Sequence, residues 1–237
     1  MKALILNSGM GSRLRPLTKD KPKCMTRLNG KETILSLQLK NLASCGVKDI
    51  IITTGYESDK LVKYGTKLSD ELEVSIEFVF NRSFKTTNYI YSIYLAEHFL
   101  HDDIVLLHGD LVFDLAVLRK LIHTDRSSMV VSSTQPLPEK DFKAKIVSGR
   151  IVSIGVEVFD EALAAQPLYK LLRNDWELWL NEISRICKAG AVSCYAENAF
   201  NRVSSVSIIY PCDIQDLLCM EIDDLNDYKK AKNKLKF

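Results

Sequence analysis

No stretch of the chain approaches the ~20 apolar residues that a membrane-spanning helix needs. The start, MKALILN, carries one Lys and the short apolar run Ala3–Leu6, too brief for the core of a signal peptide. The chain is therefore expected in the cytoplasm, with no membrane partner. Its six cysteines, at 24, 45, 187, 194, 212 and 219, include no C-x-x-C pair. Without a secretory signal they read as reduced thiols. The gaps from Cys187 to Cys194 and from Cys212 to Cys219 each hold six residues, wider than a zinc knuckle. His98, His101, His108 and His123 lack H-E-x-x-H spacing and are assigned structural or surface places. A basic tract is missing too: Lys+Arg 32 against Asp+Glu 30 leaves a formal +2, which disfavours general nucleic-acid binding. No internal repeat or low-complexity segment is present.

What remains is a chain of 237 residues with 46% hydrophobic and 26% charged side chains, the composition of an ordinary globular protein. That length buries a full core without disulfides or a structural metal. Ala3–Leu6, Ile50–Thr54, Ile76–Phe80, Ile104–Leu107 and Met129–Ser132 are short aliphatic or β-branched runs between turn residues, and read as buried strands. Between them, Thr33–Ser44, Asp59–Tyr64, Tyr89–Phe99 and Leu115–Ile122 carry helical spacing. The alternation predicts an α/β fold with a doubly wound, mostly parallel sheet. Ligands bind such sheets beyond the carboxyl ends of the strands, which directs attention to the loops after Leu6 and Leu107.

After Pro136 the pattern changes. Phe142–Val147 and Arg150–Val158, split by Ser148-Gly149, predict a hairpin. A helical stretch follows over Leu168–Lys188, then a strand over Val192–Ala196, and a closing helix over Asn226–Leu235. The second half therefore reads as a small mixed substrate-binding insertion on the nucleotide-binding-like first half.

The most informative stretch is Leu6-Asn7-Ser8-Gly9-Met10-Gly11-Ser12-Arg13-Leu14-Arg15-Pro16-Leu17-Thr18, followed by Pro22-Lys23. Two glycines after a strand let the backbone turn tightly and offer N–H groups to an anion, while Ser12, Arg13, Arg15 and Lys23 add further donors. The pattern is a phosphate cradle. It lacks the G-K-[ST] ending of a P-loop, and Leu14 stands where a dinucleotide fingerprint has its third glycine. His108-Gly109-Asp110 ends the strand Ile104–Leu107, and Glu221-Ile222-Asp223 precedes the closing helix. Carboxylates at strand ends beside a phosphate cradle suit a hard divalent cation.

The full run G-x-G-S-R-L-x-P-L-T with P-K four residues on resembles the signature of the nucleotidyltransferases that make nucleoside-diphosphate sugars and CDP-alcohols. The resemblance implies a single Rossmann-like domain over 1–237: a nucleotide-binding half at 1–135, an acceptor-binding part at 136–215, and a second metal carboxylate with the closing helix at 216–237. It implies catalytic roles for Arg13 and Lys23 on the triphosphate, and Mg²⁺ held by Asp110 and Asp223. It also implies nucleotide contacts from Leu6, Asn7, Ser8, Gly9, Gly11 and Ser12. Asn7-Ser8 replace the small Ala-Ala usual before the first glycine.

The branch of the family sets the substrate. The Q-x-x-x-x-G-T-A and E-K-P segments of hexose-1-phosphate enzymes are missing. Thr87-Asn88-Tyr89-Ile90-Tyr91-Ser92 instead resembles the N-x-x-x-S stretch of small cytidylyltransferases, with Asn88 and Ser92 four apart and available to a cytosine edge or ribose. The resemblance implies CTP as nucleotide and a small phosphorylated or phosphonate acceptor of the phosphocholine, aminoethylphosphonate or phosphoglutamine type. It also implies pyrophosphate release and a place in capsule or cell-surface polysaccharide biosynthesis. Lys143 and Lys145 alternate along a predicted strand and so share a face that is expected to hold the acceptor's anionic group. With Lys140 and Arg150 they favour an amino-acid-like or phosphonate acceptor over choline, and Tyr169, Trp176 and Trp179 are read as core. A hexose-1-phosphate uridylyl- or thymidylyltransferase, and a degenerate nucleotide-binding regulatory module, remain as alternatives.

Overall fold

Every residue from Ala3 to Leu6 is buried, and neighbours face opposite ways: Leu4 and Leu6 join one apolar cluster, Ala3 and Ile5 another. A strand apolar on both faces needs cover on both, and the rest of the chain supplies it. The computed structural model describes residues 1–235.

The chain order is β1 Lys2–Asn7, a short ribbon of β2 Arg27–Asn29 and β3 Glu32–Thr33, then α1 Ile34–Ser44, β4 Asp49–Thr54, α2 Ser58–Leu72, β5 Ser75–Phe80 and α3 Tyr89–Ala96. It continues through β6 Ile104–His108, β7 Leu111–Phe113, α4 Leu115–Ile122, β8 Ser128–Ser132, β9 Lys143–Val147, β10 Arg150–Gly155 and β11 Ala162–Leu171. The last elements are α5 Arg173–Lys188, α6 Glu197–Val203, β12 Tyr210–Asp213, β13 Cys219–Glu221 and α7 Leu225–Lys234. Among the described residues the main sheet has nine strands, with the path β10-β9-β11-β6-β1-β4-β5 and β8 and β12 joined at β11. β6, β1, β4 and β5 run parallel. Residues of α1, α2 and α4 cover one face, and residues of α3, α5 and α6 the other. This is the α/β, mostly parallel sheet read from the alternation; its antiparallel part comes from β11, which runs against β6, β8 and β9, and from the β9–β10 hairpin.

From β1 the chain steps outward to β4 and β5, then returns to place β6 on the other side of β1. That reversal opens a crevice beyond the ends of β1 and β6. Leu6 lies in register with His108 there, so the two candidate loops emerge side by side.

Three segments differ from the sequence reading. Leu168–Lys188 is not one helix: residues up to Leu171 finish β11, and the helix begins at Arg173. Leu168 and Tyr169 are buried on opposite faces of the sheet, an apolar run whose period does not separate strand from helix. Val192–Ala196 is irregular rather than a strand. The helix expected over Asp59–Tyr64 runs on to Leu72, because Gly65 is a packing residue and not a stop; a Cβ there would lie 2.6 Å from the Phe78 ring. The hairpin is as expected, with Ser148 and Gly149 both at positive φ.

Trp176 and Trp179 are fully buried, and each indole N–H is satisfied, by the Leu100 carbonyl at 3.0 Å and the Ala196 carbonyl at 2.8 Å. They are core, as is Tyr169. Trp179→Ala is expected to lower the unfolding free energy by about 3–5 kcal/mol in urea titrations; a loss below ~1 kcal/mol would show that the indole is not a core anchor.

Candidate active site

The glycine loop is fixed from below by Leu14, fully buried with Leu28, Ile34, Val112 and Ile222. Ser12–Leu14 forms a single 3-10 turn, and the Thr18 hydroxyl donates to the Gly11 carbonyl at 2.7 Å. Gly11 has φ +57°, and a Cβ there would press on the Lys23 stem at 3.0 Å. Only glycine meets both demands. Lys23 opens its own 3-10 turn behind Pro22 and extends into the cleft.

Two carboxylates meet it there, Asp110 from the middle of the chain and Asp223 from near its end, brought together by the antiparallel pairing of β7 with β13. The ladder continues one bond further, from the Ile222 N–H to the Asp110 carbonyl at 3.0 Å. Asp224 caps α7, accepting from the N–H groups of Asn226 and Asp227 at 2.7 and 3.0 Å. Asp223 is thereby left to face the cleft. The Lys23 ammonium donates to Asp110 at 2.6 Å and to Asp223 at 2.8 Å, and Arg13 reaches Asp223 at 2.9 Å. Burial opposes the charge on Lys23, but the two carboxylates outweigh it and hold its pKa above the ordinary lysine value. Burial likewise disfavours ionised Asp110, yet Lys23 and His108 hold its pKa below the usual range. Asp110 Oδ1 is buried without a hydrogen-bond partner. A hard oxygen donor left open beside a second carboxylate is what a divalent cation requires, so the residues present fit one.

The cleft has three lobes meeting at Asp110. The first, about 300 Å³, lies under the glycine loop and is lined by Asn7, Gly9, Gly11, Arg13, Lys23 and Asp223 among others. The second, about 190 Å³, is lined by Ser8, Asn81, Thr87, Asn88 and Ser92. In it the Ser92 hydroxyl donates to Ser8 at 3.0 Å, Ser8 to the Thr54 carbonyl at 3.2 Å, and the Asn81 amide to both Ser92 and Thr87 at 3.0 Å. Asn88 caps α3 and also faces this lobe. The third lobe, about 290 Å³, is lined by Tyr89, Phe142 and Tyr195 with Asp141 and Glu221. Tyr195 stacks on Tyr89 at 5.9 Å and meets Phe142 edge-on at 5.4 Å. Beneath it the Tyr89 and Tyr169 hydroxyls both donate to the buried Glu197 carboxylate, and burial with that charge raises both phenol pKa values well above normal.

Leu6, Asn7, Ser8, Gly9, Gly11, Ser12, Arg13, Lys23, Asn88, Ser92, Asp110 and Asp223 therefore all converge on this cleft. Lys143 and Lys145 do not. Lys143 is fully buried, its ammonium donating to the Pro138 and Asp141 carbonyls at 2.6 and 3.1 Å, and Lys145 is paired with Asp160 at 2.6 Å. Their shared strand face anchors loops instead of lining the third lobe, where Lys140 is the only one of the four expected basic residues. The sequence reading missed His108, Glu221, Asn81, Tyr89, Phe142 and Tyr195. Two of these carried a signal: His108 and Glu221 each end a strand two residues before an aspartate of the site, in H-x-D and E-x-D spacing. His108 Nδ1 lies 3.0 Å from Glu221, and ligand atoms of His108, Asp110 and Glu221 all fall within 4.8 Å of one another.

A glycine loop, a lysine and two carboxylates at the switch point of a parallel sheet define an enzyme that handles nucleoside triphosphates. Residues 2–141 match the nucleotidyl transferase family, and the chain belongs to it. It is 29% identical over 180 residues to the CTP:phosphoglutamine cytidylyltransferase of Campylobacter jejuni, covering 68% of each chain. It is 27% identical to the choline-phosphate cytidylyltransferase of Streptococcus pneumoniae over 100% of this chain and 99% of that one. The inositol-1-phosphate CTP transferase from T. maritima has the same fold, with a TM-score of 0.78 at 22% identity over 100% and 98% of the two chains. Among the described residues no helix is long and apolar enough to cross a membrane.

The His108–Glu221 pair makes stability depend on pH. Burial works against a charged His108, but the bond to Glu221 and the surrounding carboxylates raise its pKa from 6.5 to about 9. Burial, then Asp110, raises Glu221 from 4.5 to about 7 against the pull of His108. Both groups hold protons in the folded chain that the unfolded chain has released, so both contributions are lost as pH rises. With a chelator present, the urea midpoint of the wild type should fall between about pH 6.5 and about pH 9. His108→Gln with Glu221→Gln should flatten that slope; equal slopes would contradict the assignment.

Proposed function

We propose that this enzyme transfers CMP from CTP to a small acceptor that carries a phosphate or phosphonate at one end and an ammonium group at the other. The observation that carries the reading is the junction at Asp110, where a phosphate-binding loop, a polar lobe and an aromatic, acidic lobe share one wall. The named activities of the cytidylyltransferase relatives support it.

In this reading residues 1–135 hold the nucleotide, 136–215 close over the acceptor, and 216–237 return Asp223. Leu6, Ser8, Gly9, Asn88 and Ser92 receive the cytidine, while Gly11, Ser12 and Arg13 receive the β- and γ-phosphates. Asp110 and Asp223 would hold Mg²⁺, which supplies charge neutralisation for the triphosphate. An acceptor oxygen, already anionic near neutrality, forms the new bond to the α-phosphorus. The bond from that phosphorus to the bridging oxygen breaks, and pyrophosphate leaves with the electron pair. No protein nucleophile is needed. Lys23 and Arg13 stabilise the charge that builds on the departing pyrophosphate.

The aromatic lobe supports an ammonium on the acceptor, because ring faces and carboxylates together attract a cation. With Lys143 and Lys145 committed elsewhere, Lys140 and Arg13 are the cations left in this lobe for an extra carboxylate on the acceptor, and the aromatic rings put phosphocholine ahead of phosphoglutamine. The reading places the reaction in capsule or cell-surface polysaccharide biosynthesis, in the cytoplasm.

Pyrophosphate release, measured for CTP, UTP, dTTP, GTP and ATP against phosphocholine, 2-aminoethylphosphonate, phosphoglutamine and glucose 1-phosphate, tests the reading. CTP is expected to lead, with kcat/KM for phosphocholine above that for phosphoglutamine. UTP or dTTP with the sugar phosphate as best pair would replace it with a nucleotide-sugar enzyme, and tight CTP binding without turnover would make it a regulatory module. Asp110→Asn should reduce kcat by at least about a thousandfold with the thermal midpoint little changed, since shape is kept and the cation-anchoring charge is lost. Wild-type-like turnover at low Mg²⁺ would show the ligand to be another residue.

A further inference from the structure

Two polar atoms in the wall of the first lobe are buried and unpartnered: Asn7 Nδ2 and Asp110 Oδ1. Asn7 is only 7% exposed, and burying an amide donor without an acceptor is costly enough that such groups have partners in functioning proteins. The two atoms want opposite things. The amide needs an acceptor; the carboxylate oxygen needs a donor or a cation. An anionic phosphoryl oxygen beside a divalent cation satisfies both at once.

The amide is held where it is by the fold. Asn7 ends β1 opposite Thr54, and its backbone N–H donates to the Thr53 hydroxyl at 3.1 Å. Its side chain lies across Gly109, where a Cβ would stand 1.7 Å from Asn7 Oδ1. The glycine before Asp110 thus leaves the room in which the amide sits. Asn7 lines the lobe of Gly9, Gly11 and Lys23 and is not among the residues of the Ser8 and Ser92 lobe, so its partner is on the phosphate side and not the base. It also adjoins the junction of all three lobes, and the one substrate atom joined to nucleoside, pyrophosphate and incoming acceptor is the α-phosphorus.

We propose that Asn7 Nδ2 donates a hydrogen bond to a non-bridging oxygen of the nucleotide's α-phosphate and orients that phosphorus for attack. The inference rests on the reading that this cleft takes CTP. Asn7→Ala removes the donor, and Asn7→Asp keeps the shape while adding a like charge. With Mg²⁺, CTP and phosphocholine, Asn7→Ala should lower kcat by about 10- to 100-fold, the range for a hydrogen bond to a charged group, with a smaller change in KM for CTP. Asn7→Asp should be worse than Ala despite its shape, and both should keep the wild-type thermal midpoint within a few degrees.

The two diastereomers of cytidine 5′-O-(1-thiotriphosphate) separate this contact from a structural role, because sulfur accepts hydrogen bonds poorly. The wild type should prefer one diastereomer, and Asn7→Ala should shrink that preference by about the factor lost in kcat with CTP. An unchanged preference, or unchanged kcat, overturns the proposal. So does a loss that disappears on 3′-deoxy-CTP, which would place the amide on the ribose. Absence of CTP binding by the wild type in titration calorimetry removes the nucleotide reading and this inference together, whereas normal wild-type turnover with a silent Asn7→Ala removes the inference alone.

Discussion

Two carboxylates in a partly buried cleft repel each other and resist leaving water, and Asp110 and Asp223 are tolerated side by side because the Lys23 ammonium stands between them at 2.6 and 2.8 Å. The two aspartates lie 87 and 200 positions from the lysine in sequence. Much of the architecture serves to bring them together. The buried Leu14 holds the loop that delivers Lys23, the absence of a side chain at Gly11 clears its path, and the β7–β13 ladder sets one carboxylate against the other. One ammonium against two carboxylates, with the partly exposed Arg13 at the rim, leaves the pair short of positive charge. In the proposed reading Asp110 and Asp223 would make up that deficit by holding a divalent cation, and Lys23 would then be free to face the phosphates, so the ion pairs of the free enzyme and the chemistry proposed for it draw on the same charges.

The aromatic lobe, where the proposed acceptor would sit, is assembled in the same way. Its rings come from three distant parts of the chain, Tyr89 at the start of α3, Phe142 just before β9, and Tyr195 in the irregular passage before α6. Glu221 and Asp141 bring carboxylates into the lobe beside Arg13, Lys140 and His108, and burial, with Asp223 and Asp227 nearby, raises the Asp141 pKa above the usual value. Lys143, although not a lining residue, fixes the carbonyl of Asp141 and so sets one wall.

The parallel half of the fold was legible in the sequence because β1, β4 and β6 are short, mostly buried apolar runs, β5 at the sheet edge keeps one apolar face, and helices separate them. The site was legible where spacing carries chemistry: the glycine loop, Lys23, and an aspartate at the end of a buried strand. Reading failed where period and burial say different things. Leu168–Leu171 is apolar on both faces and joined smoothly to a helical pattern, so its strand was absorbed into the helix. Lys143 and Lys145 do share a strand face, but alternation cannot say what that face meets, and here it meets carbonyls and Asp160. Tyr195 lies on backbone with no period at all, which left the aromatic lobe invisible until the chain was folded.

On the proposed reading, Asp110 and Asp223 would exchange Lys23 for a divalent cation when a triphosphate binds. The most direct measurement of that exchange is a crystal structure with Mn²⁺ and a non-hydrolysable CTP analogue, with the metal located by anomalous scattering. One metal peak is expected in contact with Asp110 Oδ1 and Asp223, with the Lys23 ammonium moved from the carboxylates to a phosphate oxygen. Lys23 still bonded to both aspartates, with the metal held elsewhere, would contradict it.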